Sequence, residues 1–163
     1  LRLILSGGED AWRAADLLAE KEIPVLLGPV LSLPRREWEP YDTAYRNAAI
    51  LHDAGVEFCF TASGGSSFDA AHTRNLPYEA AMATAFGLPP EAAVRGMTLA
   101  PATILGLADR LGSIEEGKDA SVILTSGDVL DIRTEVLRAW IDGREVSLES
   151  RHTRLYQRYR ARP

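Results

Sequence analysis

The residues best equipped for chemistry lie near the middle of the chain, where Asp69 and His72 stand three apart with Arg74 close behind. A carboxylate and an imidazole at that spacing can exchange a proton or ligate a cation, because His changes charge near neutral pH. The same residues also suit a solvated loop in which Asp69 caps the following helix. Two further charged sets follow apolar runs. Glu9 comes after residues 1–5, and Arg35, Arg36 and Glu37 sit in a proline-rich stretch after a second run. Glu9 could contact a substrate, but a negative charge in a first helical turn also meets the helix dipole. Cys59 lies in an apolar run and reads as a buried filler rather than a nucleophile. His52 and His152 fall on helical patterns and read as structural. Gly64-Gly65-Ser66-Ser67 lacks the Gly-Lys-Ser/Thr ending of a phosphate loop. No G-x-S-x-G elbow occurs, which weakens a serine-hydrolase reading.

These side chains need elements to hold them. Residues 1–5 are a short apolar run closed by Ser6-Gly7-Gly8, as in a buried strand ending in a turn. A helical pattern follows, with Trp12, Ala15, Leu18 and Ala19 on one face, and residues 23–27 make a second strand. The loop 28–40 carries Pro29, Pro34 and Pro40 and is longer than most connections, a trait of functional loops. Asp42 is a plausible N-cap for a helix that ends near Ala54, with Gly55 as its stop. Residues 56–61 are a third strand. Strand, helix, strand, helix, strand at this spacing predicts parallel, right-handed βαβ units and an α/β fold. The Gly/Ser-rich segment 63–75 reads as a loop. Helices are expected over 78–86 and 91–98, then a shorter one that begins after Pro101 and ends near Leu107. Beyond it come β runs at 120–125 and 135–141, with Asp142-Gly143 as a two-residue hairpin signal. The tail 148–162 reads as a helix that buries Leu155, Tyr156 and Tyr159.

Bulk properties narrow the function classes. The chain has 163 residues, 46% of them apolar and 25% charged, a profile that supports one ordinary packed core. A net charge of −5 argues against nucleic acid, which calls for clustered Lys and Arg. The tail is locally basic, with Arg151, Arg154, Arg158, Arg160 and Arg162, and reads either as a nucleic-acid footprint or as a solvated helix face. No apolar run nears the roughly 20 residues that span a bilayer, so no membrane partner is expected. One cysteine excludes an internal disulfide. The opening Leu-Arg-Leu-Ile-Leu starts in mid-pattern, so more protein is expected upstream.

From Thr98 onward a family resemblance emerges. Met97-Thr98-Leu99-Ala100-Pro101-Ala102-Thr103-Ile104-Leu105-Gly106-Leu107 resembles the T-x-x-P-A-x-x-L-G-L segment of the amidohydrolase superfamily. Arg110-Leu111-Gly112-Ser113-Ile114-Glu115-Glu116-Gly117-Lys118-Asp119-Ala120 is similar to its G-S-I-E-x-G-K-x-A-D turn. Ala139-Trp140-Ile141-Asp142-Gly143-Arg144-Glu145-Val146 is similar to its V-x-V-x-G-x-x-V ending. The segment Arg74-Asn75-Leu76-Pro77-Tyr78-Glu79-Ala80 and the earlier βα units resemble the imidazolonepropionase-like subgroup more loosely.

This resemblance implies that the three strands are the sixth, seventh and eighth of a metal-dependent-hydrolase (β/α)8 barrel. Residues 1–111 would be its C-terminal third, 112–147 the returning strands of a small β-sandwich, and 148–163 a helical tail. The implied activity is hydrolysis of non-peptide, amide or cyclic amide carbon–nitrogen bonds by water activated on zinc or another divalent metal. The implied partners are a small-molecule substrate, the remainder of the barrel and, for some members, a second copy of the chain. Asp69 and His72 then become candidate catalytic groups at the barrel mouth, with Glu9, Arg35, Ser63 and Arg74 as candidate substrate contacts. The chain departs from the family at two points. The sixth strand ends Ser6-Gly7-Gly8 where a His ligand is common, and the eighth ends Thr61-Ala62-Ser63-Gly64 where the family's Asp would stand. No metal ligand is therefore assigned within the chain, most ligands being expected outside it. An amidohydrolase-like binding protein that has lost catalysis is the alternative.

Overall fold

The computed structural model describes residues 3–62 and 72–160. Three short strands, β1 (Leu5–Gly7), β2 (Val25–Leu27) and β3 (Phe58–Phe60), form a parallel sheet in sequential order. Leu5, Ser6 and Gly7 pair with Val25, Leu26 and Leu27, which pair in turn with Phe58, Cys59 and Phe60. Each strand is shorter than its apolar run. The first also sits later than expected, running through Ser6 and Gly7, because the ladder to β2 and not the apolar run sets where it lies.

The connections are helical, as the βαβ reading requires. A 3-10 turn (Ala11–Ala14) leads into α1 (Ala15–Glu20), and α2 (Thr43–Asp53) links β2 to β3. Ala11, Ala15 and Leu18 are the buried face of the first connection. Asp42 occupies the N-cap position of α2, yet its side chain makes no capping bond. After a 3-10 turn (Thr73–Asn75) come α3 (Leu76–Ala85), α4 (Pro90–Met97) and α5 (Leu99–Leu105). Helix α5 starts before Pro101 rather than after it. The first four N–H groups of a helix have no partner inside it, so a proline there costs no bond.

Alternation along the strands sorts the core into two layers. Val25, Leu27, Phe58 and Phe60 pack with Leu18, Leu51, Ala80 and Ala93 from the helices, and the two Phe rings meet edge-on at 5.6 Å. The opposite face presents Leu26 and Cys59 to Ala100 and Ile104 of α5. Burial on both faces holds for β3 alone. Strand β1 has no neighbour on its outer side among the described residues, and Leu3, Ile4 and Leu5 remain exposed.

A second sheet follows, antiparallel, in the order β4 (Val122–Thr125), β5 (Val136–Ile141), β6 (Arg144–Val146). Asp142 and Gly143, both with positive φ, close the β5–β6 hairpin as their residue types predicted. The turn leading into this sheet is built by its motif residues. Lys118 donates to Ser113 Oγ at 2.5 Å and to Glu115 at 3.1 Å. Gly112 has φ +94, and a Cβ there would lie 2.8 Å from the Leu99 Cα. The last helix, α6 (Arg151–Arg160), differs from expectation: Leu155 is half-buried, but Tyr156 and Tyr159 are exposed. Ser150 and Thr153 cap it reciprocally, each backbone N–H donating to the other's hydroxyl. Among the described residues no helix is long and apolar enough to cross a membrane.

Candidate functional site at the strand ends

In a parallel sheet all C-terminal ends face one way, so the segments after β1, β2 and β3 gather on one side. Gly8-Glu9-Asp10, the loop 28–42 and Thr61-Ala62 occupy that side. The amide of Gly28 donates to the Gly7 carbonyl, joining the first two segments where they leave the sheet. A Cβ on Gly28 would come within 2.7 Å of that carbonyl oxygen, so the approach depends on glycine.

The long loop after β2 is held from three directions. Glu39, 9% exposed, accepts the N–H groups of Arg35 at 2.9 Å and Arg36 at 3.3 Å, and the Arg36 guanidinium at 2.5 Å. The Arg36 guanidinium also grips Asp10 through two parallel bonds of 2.8 Å, the fork geometry suited to a carboxylate. Glu79 on α3, 8% exposed, accepts the Leu31 N–H at 2.7 Å. Trp38 stacks near two cations, 5.4 Å from Arg13 and 5.6 Å from Arg36.

These contacts set the protonation behaviour. The Arg36 guanidinium, chiefly through its hydrogen bonds, holds the Asp10 carboxyl below its ordinary value. Burial works to raise Glu39, but bonds from Arg36 and from the Arg35 and Arg36 amides outweigh it and leave the group lowered. Arg36 itself is pushed up by Asp10 first and Glu39 second. All three groups are therefore charged at neutral pH.

Two of the residues singled out from sequence meet here. Arg35 Nη1 lies 3.6 Å from Glu9 Oε2, and both line a narrow crevice of about 20 Å³ with Gly28, Ser32, Leu33, Glu39 and Asn47. Asn47, 2% exposed, donates to the carbonyls of Gly8 at 2.9 Å and Glu9 at 3.2 Å, which fixes the backbone that carries Glu9. Its Oδ1 is buried without a partner among the described residues. His72 and Arg74 are exposed, and His72 Nδ1 lies 3.4 Å from the Asn75 amide nitrogen. Asp69 and Ser63 lie outside the described residues.

Asp10, Glu39, Asn47 and Glu79 of this site escaped the sequence reading. Asn47 lies on the buried side of α2, but its partners are 38 and 39 positions away, so no local pattern marked it. The loop pairs through Glu39 and not through Glu37, because Glu39 is the acid that the turn directs back onto the Arg35 and Arg36 amides.

Among the described residues no group of three or more His, Cys, Asp or Glu side chains could hold an ion. At the end of β3, Thr61 spends its hydroxyl on the Leu27 carbonyl at 2.8 Å, and Ala62 has no donor atom. These residues do not fit a catalytic divalent metal. Cys59 is not a ligand in waiting either, since burial and then Glu57 push its thiol up to about 11.

Comparison with known proteins completes the picture. Residues 33–146 match the Amidohydrolase family, well over half of the chain. The amidohydrolase tasK of Hapsidospora irregularis is 38% identical over 94 residues, 58% of this chain and 9% of that protein. An amidohydrolase from Thermotoga maritima superposes with a TM-score of 0.77 at 36% identity, over 89% of this chain and 37% of that one. A zinc-bound adenosine deaminase from Xanthomonas campestris shares the fold at 20% identity and a TM-score of 0.57, over 90% and 38% of the respective chains. The chain thus spans little more than a third of the solved relative, and the motifs around its helix-to-sheet turn lie within the matched region. The chain belongs to the amidohydrolase family.

Proposed function

We propose that this chain supplies one arc of a (β/α)8 barrel, its sixth to eighth strands, within a hydrolase acting on carbon–nitrogen bonds of amides or cyclic amides. Residues 1–111 contribute the arc, 112–147 the returning strands of the β-sandwich, and 148–163 the tail. The parallel order of β1, β2 and β3 supports the arc, as does the exposed outer edge at Leu3, Ile4 and Leu5. The observation that carries the functional side is the meeting of Glu9 and Arg35 at the C-terminal ends of β1 and β2. That is the face where barrels of this kind build their sites.

The zinc or other divalent metal expected of the family would take its ligands from outside the described residues, and it would supply activated water. The work of this chain is different. Asn47 and Gly28 fix the backbone at two strand ends, Glu39 and Asp10 hold the long loop, and Glu9 and Arg35 face the substrate. Asp69 and His72 remain candidates for acid–base work, with Ser63 and Arg74 as further substrate contacts.

A second reading is favoured by one observation. On the proposed strand assignment Thr61-Ala62-Ser63-Gly64 would stand where the family carries its metal-binding Asp, and within it Thr61 spends its hydroxyl on the Leu27 carbonyl while Ala62 has no donor atom for a cation or a proton. In this reading the whole protein binds a ligand without turning it over. Metal analysis of the complete protein, run beside turnover of a panel of amides, lactams and dipeptides, separates the two. About one or two zinc ions per chain with turnover supports the hydrolase. A metal-free protein that binds but does not hydrolyse supports the second reading.

A further inference from the structure

We propose that the protein self-associates through its last helix: α6 of one copy lies along the groove between α1 and α2 of a second copy, and the exchange is reciprocal.

The family match ends at residue 146 and α6 starts at Arg151, so this helix lies beyond the matched segment. Its composition is one-sided. It holds four of the chain's 18 Lys and Arg residues and none of its 23 Asp and Glu residues. The rest of the chain is therefore considerably more acidic than the net charge of −5 conveys. The side chains are also sorted around the helix. Leu155, Tyr156 and Tyr159, spaced three and four apart, share one side, and Arg151, Arg154 and Arg158 take the neighbouring one. Arg160 borders the stripe on its far side, its guanidinium 6.0 Å from the centre of the Tyr156 ring. Tyr and Arg around an apolar contact are the residues that anchor protein interfaces. A helix of ten residues also gains much of its order from whatever it packs on.

The groove between α1 and α2 has the opposite character. Trp12, Ala15, Ile50 and Ala54 give it a buried or half-buried apolar lining, and the exposed Asp16 and Asp53 give it negative charge, around a cavity of about 410 Å³. Neither carboxylate has an ion-pair partner among the described residues. Arg13 also lines the groove, but its guanidinium lies over the rings of Trp12 and Trp38, at 5.8 and 5.4 Å. The Trp12 indole N–H is buried with no acceptor among the described residues. A buried donor of this kind calls for a partner, and a tyrosine hydroxyl laid over the indole supplies one. Bare carboxylates above an apolar floor thus match arginines beside an apolar stripe. No α6 residue of the same chain lines the groove, so the matching helix comes from another copy. Each copy carries one helix and one groove, and two identical contacts close a twofold dimer.

Sedimentation velocity of the complete protein across a concentration series tests this. Dimers are expected at low salt, with the dissociation constant rising at least about tenfold between roughly 50 mM and 500 mM NaCl, because exposed ion pairs are screened. Arg154→Glu with Arg158→Glu should weaken the dimer by a similar factor, and so should Asp16→Arg with Asp53→Arg. Mixing the two doubly substituted proteins should restore association between them, a rescue that damage to the fold cannot produce. As a second readout, a chain carrying Tyr156→Cys and a tagged chain carrying Ala54→Cys should form a disulfide with each other on mild oxidation. A protein that stays monomeric, a dimer indifferent to salt and to both charge reversals, or mixed variants that fail to associate would each overturn the proposal. So would a disulfide that forms only within one chain bearing both cysteines. Loss of binding to RNA or to phosphatidylserine vesicles in Arg154→Glu with Arg158→Glu, with self-association unchanged, would assign the helix to a polyanion instead.

Discussion

Arg36 and Asp10 form a two-pronged ion pair, 2.8 Å at each prong, that ties the long loop after β2 to the segment after β1. Both side chains are more than a third exposed, so the value of the pair lies in geometry more than in stability. It fixes the angle at which the loop, and Arg35 with it, crosses the strand ends.

The first prediction concerns acid. The carboxyls of Asp10 and Glu39 are both held below their ordinary values of 3.8 and 4.5. A group lowered in the folded state stabilises it above the unfolded value, and that contribution fades as pH falls through the folded one. The loop should therefore be intact at pH 5 and loosen progressively below about pH 4. Emission from Trp38, which stacks near Arg13 and Arg36, should report the change. Wild-type emission that stays flat from pH 5 to pH 2 would contradict it, and Arg36→Ala should show the loosened signal already at neutral pH.

Glu79 gives a second prediction. Its carboxylate reaches the Leu31 N–H from α3, 48 positions along the chain. Glu79→Ala leaves a part-buried donor unpaired and should cost about 1–3 kcal/mol in urea unfolding. Glu79→Gln keeps an acceptor oxygen and should cost less. Equal losses for the two variants would show that the side chain acts by packing and not through this bond.

How much of this was legible beforehand depends on sequence distance. The order of β1, α1, β2, α2 and β3 is written in local periodicity and in stops such as Gly55, and the parallel arrangement follows from it. The Asp142-Gly143 hairpin is equally local. Strand ends were not, because pairing with a neighbour decides them: Ser6 and Gly7 joined β1 though neither favours a strand. The site was half legible. Glu9 and Arg35 stood out as charged residues just past apolar runs, whereas Glu79 and Asn47 act on partners 38 to 48 positions away. No local pattern announces such a bond.

Cys59 supplies a third prediction. A thiol pushed up to about 11 by burial is protonated, and thus unreactive, at neutral and mildly alkaline pH. The folded protein should resist a thiol-directed disulfide reagent at pH 8 and react promptly in guanidinium chloride. Rapid labelling of the native protein at pH 8 would mean that Cys59 is reached by solvent and that its layer with Ala100 and Ile104 is open.

Gly112 offers a fourth. Its φ of +94 and the proximity of the Leu99 Cα and the Thr98 carbonyl leave no space for a methyl group. Gly112→Ala should cost on the order of 1–3 kcal/mol, the range for a strained backbone, by forcing the turn away from α5. Thermal unfolding measures the loss. Gly117→Ala is the control: its φ is also positive, but nothing lies within 4 Å of the point a methyl group would occupy, so it should cost less.

The last prediction concerns α6. At ten residues it is shorter than the roughly 12–15 at which isolated helices become stable in water, and little of its surface is covered among the described residues. Its order then depends heavily on its N-terminus, where Ser150 and Thr153 satisfy each other's amides. Ser150→Ala removes one half of that exchange and should cost about 1 kcal/mol locally. For a marginal helix such a loss shifts the population substantially toward coil. Hydrogen exchange of the amides following Ser150 should therefore accelerate severalfold in the variant, while amides of β2 and β3 keep their protection. Unchanged exchange along α6 would show that contacts beyond the capping pair hold the helix in place.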